Sequence, residues 1–125
     1  KILIITSKPP EFRTYTRDPL FDFYLKSLIR QEKTEYSYDH LNSLFYENLI
    51  FENFITFNEK LKKISHDLDI LYLDKYDFMC DDNKKKCDGV TPDGYKVFYD
   101  HSHYTLEGAK YLGEKIYNKK WFKIK

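Results

Sequence analysis

The stretch Lys1-Ile2-Leu3-Ile4-Ile5-Thr6-Ser7 decides the fold class. Its aliphatic residues run on without polar alternation, as expected of a strand buried on both faces of a parallel sheet. It stops at Pro9-Pro10, which lack the N–H groups a ladder needs. A second run of the same kind, Asp69-Ile70-Leu71-Tyr72-Leu73-Asp74, predicts a second buried strand. Between the two runs the apolar period becomes helical. Leu20, Phe21, Tyr24, Leu25, Leu28 and Ile29 follow Asp18-Pro19, a cap and first turn. Leu41, Leu44, Phe45 and Leu49 predict a second helix beginning near Asp39. Phe54, Phe57, Leu61 and Ile64 predict a third, ending around Ser65-His66. Strand, helices, strand and a last helix describe an α/β domain with a small parallel sheet.

Two long strands make a poor sheet. The chain also opens on Lys1, inside a strand-like run. Residues 1–125 therefore read as one domain, the C-terminal portion of something longer whose upstream strands would complete the sheet.

Composition narrows the function classes. Charged residues make up 33% of the chain and leave a formal charge of only +1, so the basic excess of a nucleic-acid surface is missing. The longest apolar run, Ile2 to Ile5, is far short of the ~20 residues of a membrane span. Nothing resembles a signal peptide, which for a piece of a longer protein says nothing about location. Cys80 and Cys87 flank the polar loop Asp81-Asp82-Asn83-Lys84-Lys85-Lys86. Their spacing excludes a redox CxxC, and no second Cys/His pair is placed for zinc. A local disulfide, implying an oxidising compartment, is the leading reading, with two free cytosolic thiols as the alternative.

Turn residues at Asp88-Gly89 and Pro92-Asp93-Gly94 lead to a short extended piece, Tyr95 to Tyr99. Then comes Asp100-His101-Ser102-His103-Tyr104-Thr105-Leu106-Glu107-Gly108-Ala109. A helix is expected from about Thr105, its N-cap, to Tyr117, with Leu106, Ala109, Leu112, Gly113 and Ile116 as its apolar stripe. An Asp three residues before a His can accept the imidazole Nδ1–H, fix the tautomer and leave Nε2 to take a proton from a hydroxyl. A D-x-x-H pattern is short, and by itself also fits a capped turn beside an exposed histidine. His101 is the competing imidazole, adjacent to Asp100.

The surroundings of that motif resemble the SGNH/GDSL hydrolase superfamily, whose last motif is D-x-x-H followed by a helix. The likeness is greatest to the SGNH domain fused to membrane acyltransferases of the acyltransferase-3 family. There a Cys, a loop, a second Cys, a short strand and Asp-x-x-His-Leu-Ser-x-x-Gly-Ala follow one another. Cys80, Cys87, Val97-Phe98-Tyr99-Asp100, His103-Tyr104-Thr105 and Gly108-Ala109 match in order and spacing, with Tyr104 for Leu and Thr105 for Ser. Ile2 to Glu11 is similar to the strand and proline turn after the family's third motif.

The resemblance implies a flavodoxin-like three-layer α/β/α sandwich around a parallel sheet, lacking its N-terminal strands here. It implies His103 as general base and Asp100 as orienting carboxylate, together the candidate catalytic pair. It also implies a nucleophilic Ser in a Gly-Asp-Ser motif and an oxyanion hole with an Asn from Gly-x-Asn. Neither motif occurs in residues 1–125. The implied activity is O-acyl transfer, most often of acetyl, to cell-surface glycans. It would involve the parent's membrane acyltransferase domain, lie extracytoplasmically, and need no metal or organic cofactor. The alternatives are a secreted GDSL-type esterase or lipase acting on an acyl ester, and a non-catalytic glycan-binding domain without a nucleophile.

Other residues weigh less. Ser7, at the end of the first strand, is the in-chain rival for nucleophile, but no Gly precedes it and no helix follows at once. Ser102 reads as a turn residue. Arg13, Tyr15 and Arg17 sit on the loop after the first strand and read as a solvated loop, with the border of a substrate groove as the alternative. His40 and His66 read as surface residues, and Lys84-Lys85-Lys86 as a solubilising loop tip.

Overall fold

The computed structural model describes residues 3–13, 26, 30, 37–100 and 102–120. The expected helix over Leu20–Ile29 falls almost wholly outside them, as do Tyr15, Arg17 and His101.

Strand β1 (Ile4–Thr6) pairs in parallel with β2 (Leu71–Leu73), in the register Ile4 to Leu71, Ile5 to Tyr72 and Thr6 to Leu73. Ser7 N–H extends the ladder by donating to the Leu73 carbonyl at 2.9 Å. Both runs thus form strands, and the pairing is the parallel one they predict. Their expected burial on both faces does not hold, since Leu3 is 67% exposed and Leu71 43%. A run without polar alternation shows that a strand suits two apolar faces, but only packed neighbours can cover them.

Helix α1 (Tyr38–Glu47) begins where Ser37 Oγ accepts the His40 N–H, and it buries Leu41 and Phe45. The chain leaves the helix at Asn48, so Leu49 lies beyond it and forms an antiparallel bridge with Phe12. Phe12, Phe45 and Phe98 then meet in the core, with ring centroids 4.8 Å apart for Phe12–Phe45 and 5.3 Å for Phe12–Phe98. Each is almost fully buried, and each such side chain contributes roughly 2–3 kcal/mol of transfer free energy.

Helix α2 (Ile55–Asp67) follows a 3₁₀ turn at Phe51–Asn53. Here the expected stripe is rotated. The helix buries Asn58 and Ser65, while Phe57 and Ile64 stay exposed. Asn58 decides this by gripping the turn after β1: its Oδ1 accepts Lys8 N–H at 2.8 Å and its Nδ2 donates to Lys8 O at 3.0 Å. Ser65 satisfies its own hydroxyl on Lys62 O at 2.7 Å. Both polar groups are therefore buried with partners.

Helix α3 (Lys75–Met79) is not anticipated by periodicity, being too short to show any. Asp74 caps it by accepting Tyr76 N–H at 2.9 Å. It runs into the hairpin of β3 (Cys80–Asp81) and β4 (Lys86–Cys87), where Cys80 faces Cys87 and the two form a disulfide. Asp81 Oδ1 shapes the tip by accepting the N–H groups of Asn83 and Lys84. Lys84 and Lys85 are exposed at that tip, while Lys86 pairs with Asp39. Among the described residues, no helix is long and apolar enough to cross a membrane.

Candidate active site

Residues 95–99 and 102–105 do not form a regular strand. Two isolated antiparallel bridges hold them instead, Val90 with Lys96 and Phe98 with Tyr104. The second closes a tight loop around Asp100, with Tyr99 N–H donating to His103 O at 3.0 Å. Across this loop the side chains divide by position. Phe98 is fully buried, and its ring lies 5.2 Å from that of Tyr104. Tyr99 and His103, the next pair outward, are exposed. The core thus holds the root of the loop, and the loop presents the imidazole.

Asp100 organises the turn with both oxygens. Its Oδ1 accepts the N–H groups of Ser102 at 2.9 Å and His103 at 2.8 Å, while its Oδ2 lies 2.6 Å from His103 Nδ1. The Ser102 backbone bond is the main cause, joined by the His103 backbone and ring, that holds the carboxyl down at about 2 against the partial desolvation that opposes it. A depressed acid keeps its charge, and what that charge contributes, above the ordinary carboxylate range and loses it as pH falls through about 2. Asp100 is therefore expected to stay ionised through pH 4, with the turn intact, in a carboxyl ¹³C titration. A midpoint in the ordinary aspartate range would show that the two N–H bonds do not hold in solution.

The His103 side chain is 62% exposed, so its ring can reach a reactant from outside. Thr105 starts helix α4 (Leu106–Asn118) two residues later, its Oγ1 accepting Gly108 N–H at 2.9 Å. Thr105 N–H in turn donates to Val97 O at 2.9 Å, tying the helix start to the strand-like piece before the loop. The expected N-cap and helix limits agree with this to one residue.

Residues from distant parts of the chain support the loop. Asn42 on α1 accepts the N–H groups of Gly89 and Val90, both at 2.9 Å. Gly89 O then accepts Val97 N–H at 2.9 Å. Lys115 on α4 pairs with Asp88 and lies over the Phe78 ring, 5.2 Å from its centroid. Tyr111 also donates to Asp88, and burial together with that carboxylate pushes its phenol up to about 12. No sequence signal marks Asn42; a lone Asn within a helical stripe reads as solvent-facing.

The remaining candidates separate clearly. Ser7 is buried, and its Oγ accepts Lys75 N–H at 2.6 Å, so it joins the end of β1 to the start of α3 rather than presenting an accessible hydroxyl. Ser102 serves the Asp100 turn through its backbone. Arg13 is exposed and pairs with Glu52 at 3.1 Å. His40 and His66 are exposed on α1 and α2.

A family model described as "SGNH domain (fused to AT3 domains)" matches residues 3–118. No curated protein and no solved structure matches the chain.

Proposed function

The chain belongs to the SGNH domains that are fused to AT3 domains, and from that membership we propose that it carries the general base of an acyl-transfer site. His103 is the base and Asp100 the carboxylate that orients it. The observation that carries this reading is the 2.6 Å contact between Asp100 Oδ2 and His103 Nδ1 on an exposed loop rooted in the core. A carboxylate at Nδ1 fixes the tautomer that leaves Nε2 as acceptor, and it stabilises the imidazolium formed when a proton is taken.

In the proposed reaction a Ser hydroxyl supplied by the parent protein attacks an acyl donor, probed below with an acetyl ester. The Ser O–acyl bond forms while the donor's acyl bond breaks, and His103 passes the Ser proton to the leaving group. A glycan hydroxyl then attacks the acyl-Ser, giving its proton to His103, which returns it to Ser. An oxyanion hole outside these residues would stabilise each tetrahedral intermediate. With water as the second nucleophile the same steps give an esterase. The Cys80–Cys87 disulfide supports an extracytoplasmic setting, and fusion to AT3 domains supports a membrane-associated parent.

The finer fold belongs to the same proposal. Residues 1–125 are the C-terminal portion of a three-layer α/β/α domain whose further strands lie elsewhere in the parent chain. The exposed faces of Leu3, Leu71, Phe57 and Ile64 support it, because a parallel pair and an apolar helix flank are stable when covered.

p-Nitrophenyl acetate tests the reading. The intact parent is expected to release p-nitrophenolate, and residues 1–125 alone are expected not to. Turnover by residues 1–125 that survives His103→Ala would overturn the assignment.

A further inference from the structure

We propose that Tyr99 is a positioning residue for His103, its ring fixing the plane in which the imidazole works; this rests on the reading of His103 as the base. The backbone creates the pair. Tyr99 N–H bonds to His103 O across the Asp100 loop, so the two side chains leave the loop on the same outward side. There the rings stack, with centroids 5.7 Å apart and planes inclined by 17°. Tyr99 remains 61% exposed, and a ring that large on the surface is not explained by core packing.

The Asp100 and Tyr99 contacts on the imidazole constrain different motions. The Asp100 carboxylate meets Nδ1 at the ring edge and sets the in-plane direction, but an edge contact still permits the ring to tilt about it. Tyr99 lies against the face and opposes that tilt. A mostly exposed imidazole without that face contact would sample more orientations, and few of those align Nε2 with a hydroxyl held by the rest of the site. The pair also requires nothing of the phenol hydroxyl. Phenylalanine should serve as well as tyrosine, and a small aliphatic residue should not.

Tyr99→Ala and Tyr99→Phe in the intact parent, assayed with p-nitrophenyl acetate, separate these roles. Tyr99→Ala is expected to lower kcat about 10-fold with KM little changed, and Tyr99→Phe to restore it. In parallel, ¹⁵N-histidine NMR of the intact parent is expected to show a less uniform His103 ring signal in Tyr99→Ala and a native one in Tyr99→Phe. An unchanged kcat in Tyr99→Ala overturns the proposal, as does a loss confined to KM, failure of Tyr99→Phe to restore the rate, or an unaltered ring signal. If His103→Ala itself leaves the rate unchanged, the base assignment falls instead. The NMR comparison then still decides whether Tyr99 orders the ring.

Discussion

Replacing His103 with alanine in the intact parent protein is expected to lower kcat for p-nitrophenyl acetate by about 10⁴-fold, with the domain's stability nearly unchanged. The loss should be large because, among the described residues of the Asp100 loop, no other group is placed to take its role. Ser102 contributes its backbone, and Tyr104 turns inward to donate its hydroxyl to Met79 sulfur. Stability should be spared because the imidazole is mostly exposed and a contact so open to solvent contributes little. Asp100→Asn is the more discriminating companion. Its Oδ1 would still accept the N–H groups of Ser102 and His103, so the turn keeps its shape. Its amide in place of Oδ2 cannot accept Nδ1–H, so the ring is driven to the wrong tautomer, and the rate is expected to fall about 10³–10⁴-fold. A His103→Ala parent that keeps more than a third of the wild-type rate would exclude the base assignment.

The second large effect is on stability, and it comes from a methyl group. Gly108→Ala in α4 is expected to destabilise the domain by about 2 kcal/mol or more, although Gly→Ala within a helix ordinarily stabilises by roughly 1 kcal/mol. A Cβ at Gly108 would stand 2.6 Å from Val97 Cα and 2.7 Å from its carbonyl carbon, and would press on its oxygen as well. These are backbone atoms, and that same carbonyl accepts Thr105 N–H at the helix start. Relief requires moving α4 away from the piece that roots the Asp100 loop. Gly113 in the same helix is the control, since nothing lies within 4 Å of a Cβ there. Gly113→Ala is expected to stabilise by about 0.5–1 kcal/mol. Urea denaturation of the two variants should therefore move in opposite directions, and a shift of the same sign would show that the contact at Val97 is not tight in solution.

The capping of α4 by Thr105 was legible in the sequence, where that residue stands directly before the helix's apolar stripe. So were the two parallel strands and helices α1, α2 and α4, because their apolar patterns are long enough to reveal a period. Helix α3, at five residues, is too short for that and is held by Asp74 and by Ser7 accepting Lys75 N–H. The stripe on α2 shows the other limit. Phe57 and Ile64 share a helical face as their spacing predicts, but the inward face was settled by Asn58 gripping Lys8, a contact spanning 50 residues. Ser7 is similar: its place at a strand end was legible, and its burial was not.

What the sequence by itself determined is what short-range chemistry dictates. The capping of α4 by Thr105 and the closure of Asp100 onto His103 each join residues three apart, so chain geometry alone brings the groups within hydrogen-bonding reach. The family was legible for the same reason, since its motif is local. Only the tertiary structure decided how that motif is held. Asn42 reaches the Gly89–Val90 backbone across 47 residues, Phe98 joins Phe12 and Phe45 in one core, and the Tyr99 ring lies along the His103 imidazole. Such contacts depend on where separate segments pack, and no local propensity of an asparagine or a tyrosine encodes which neighbour it will meet.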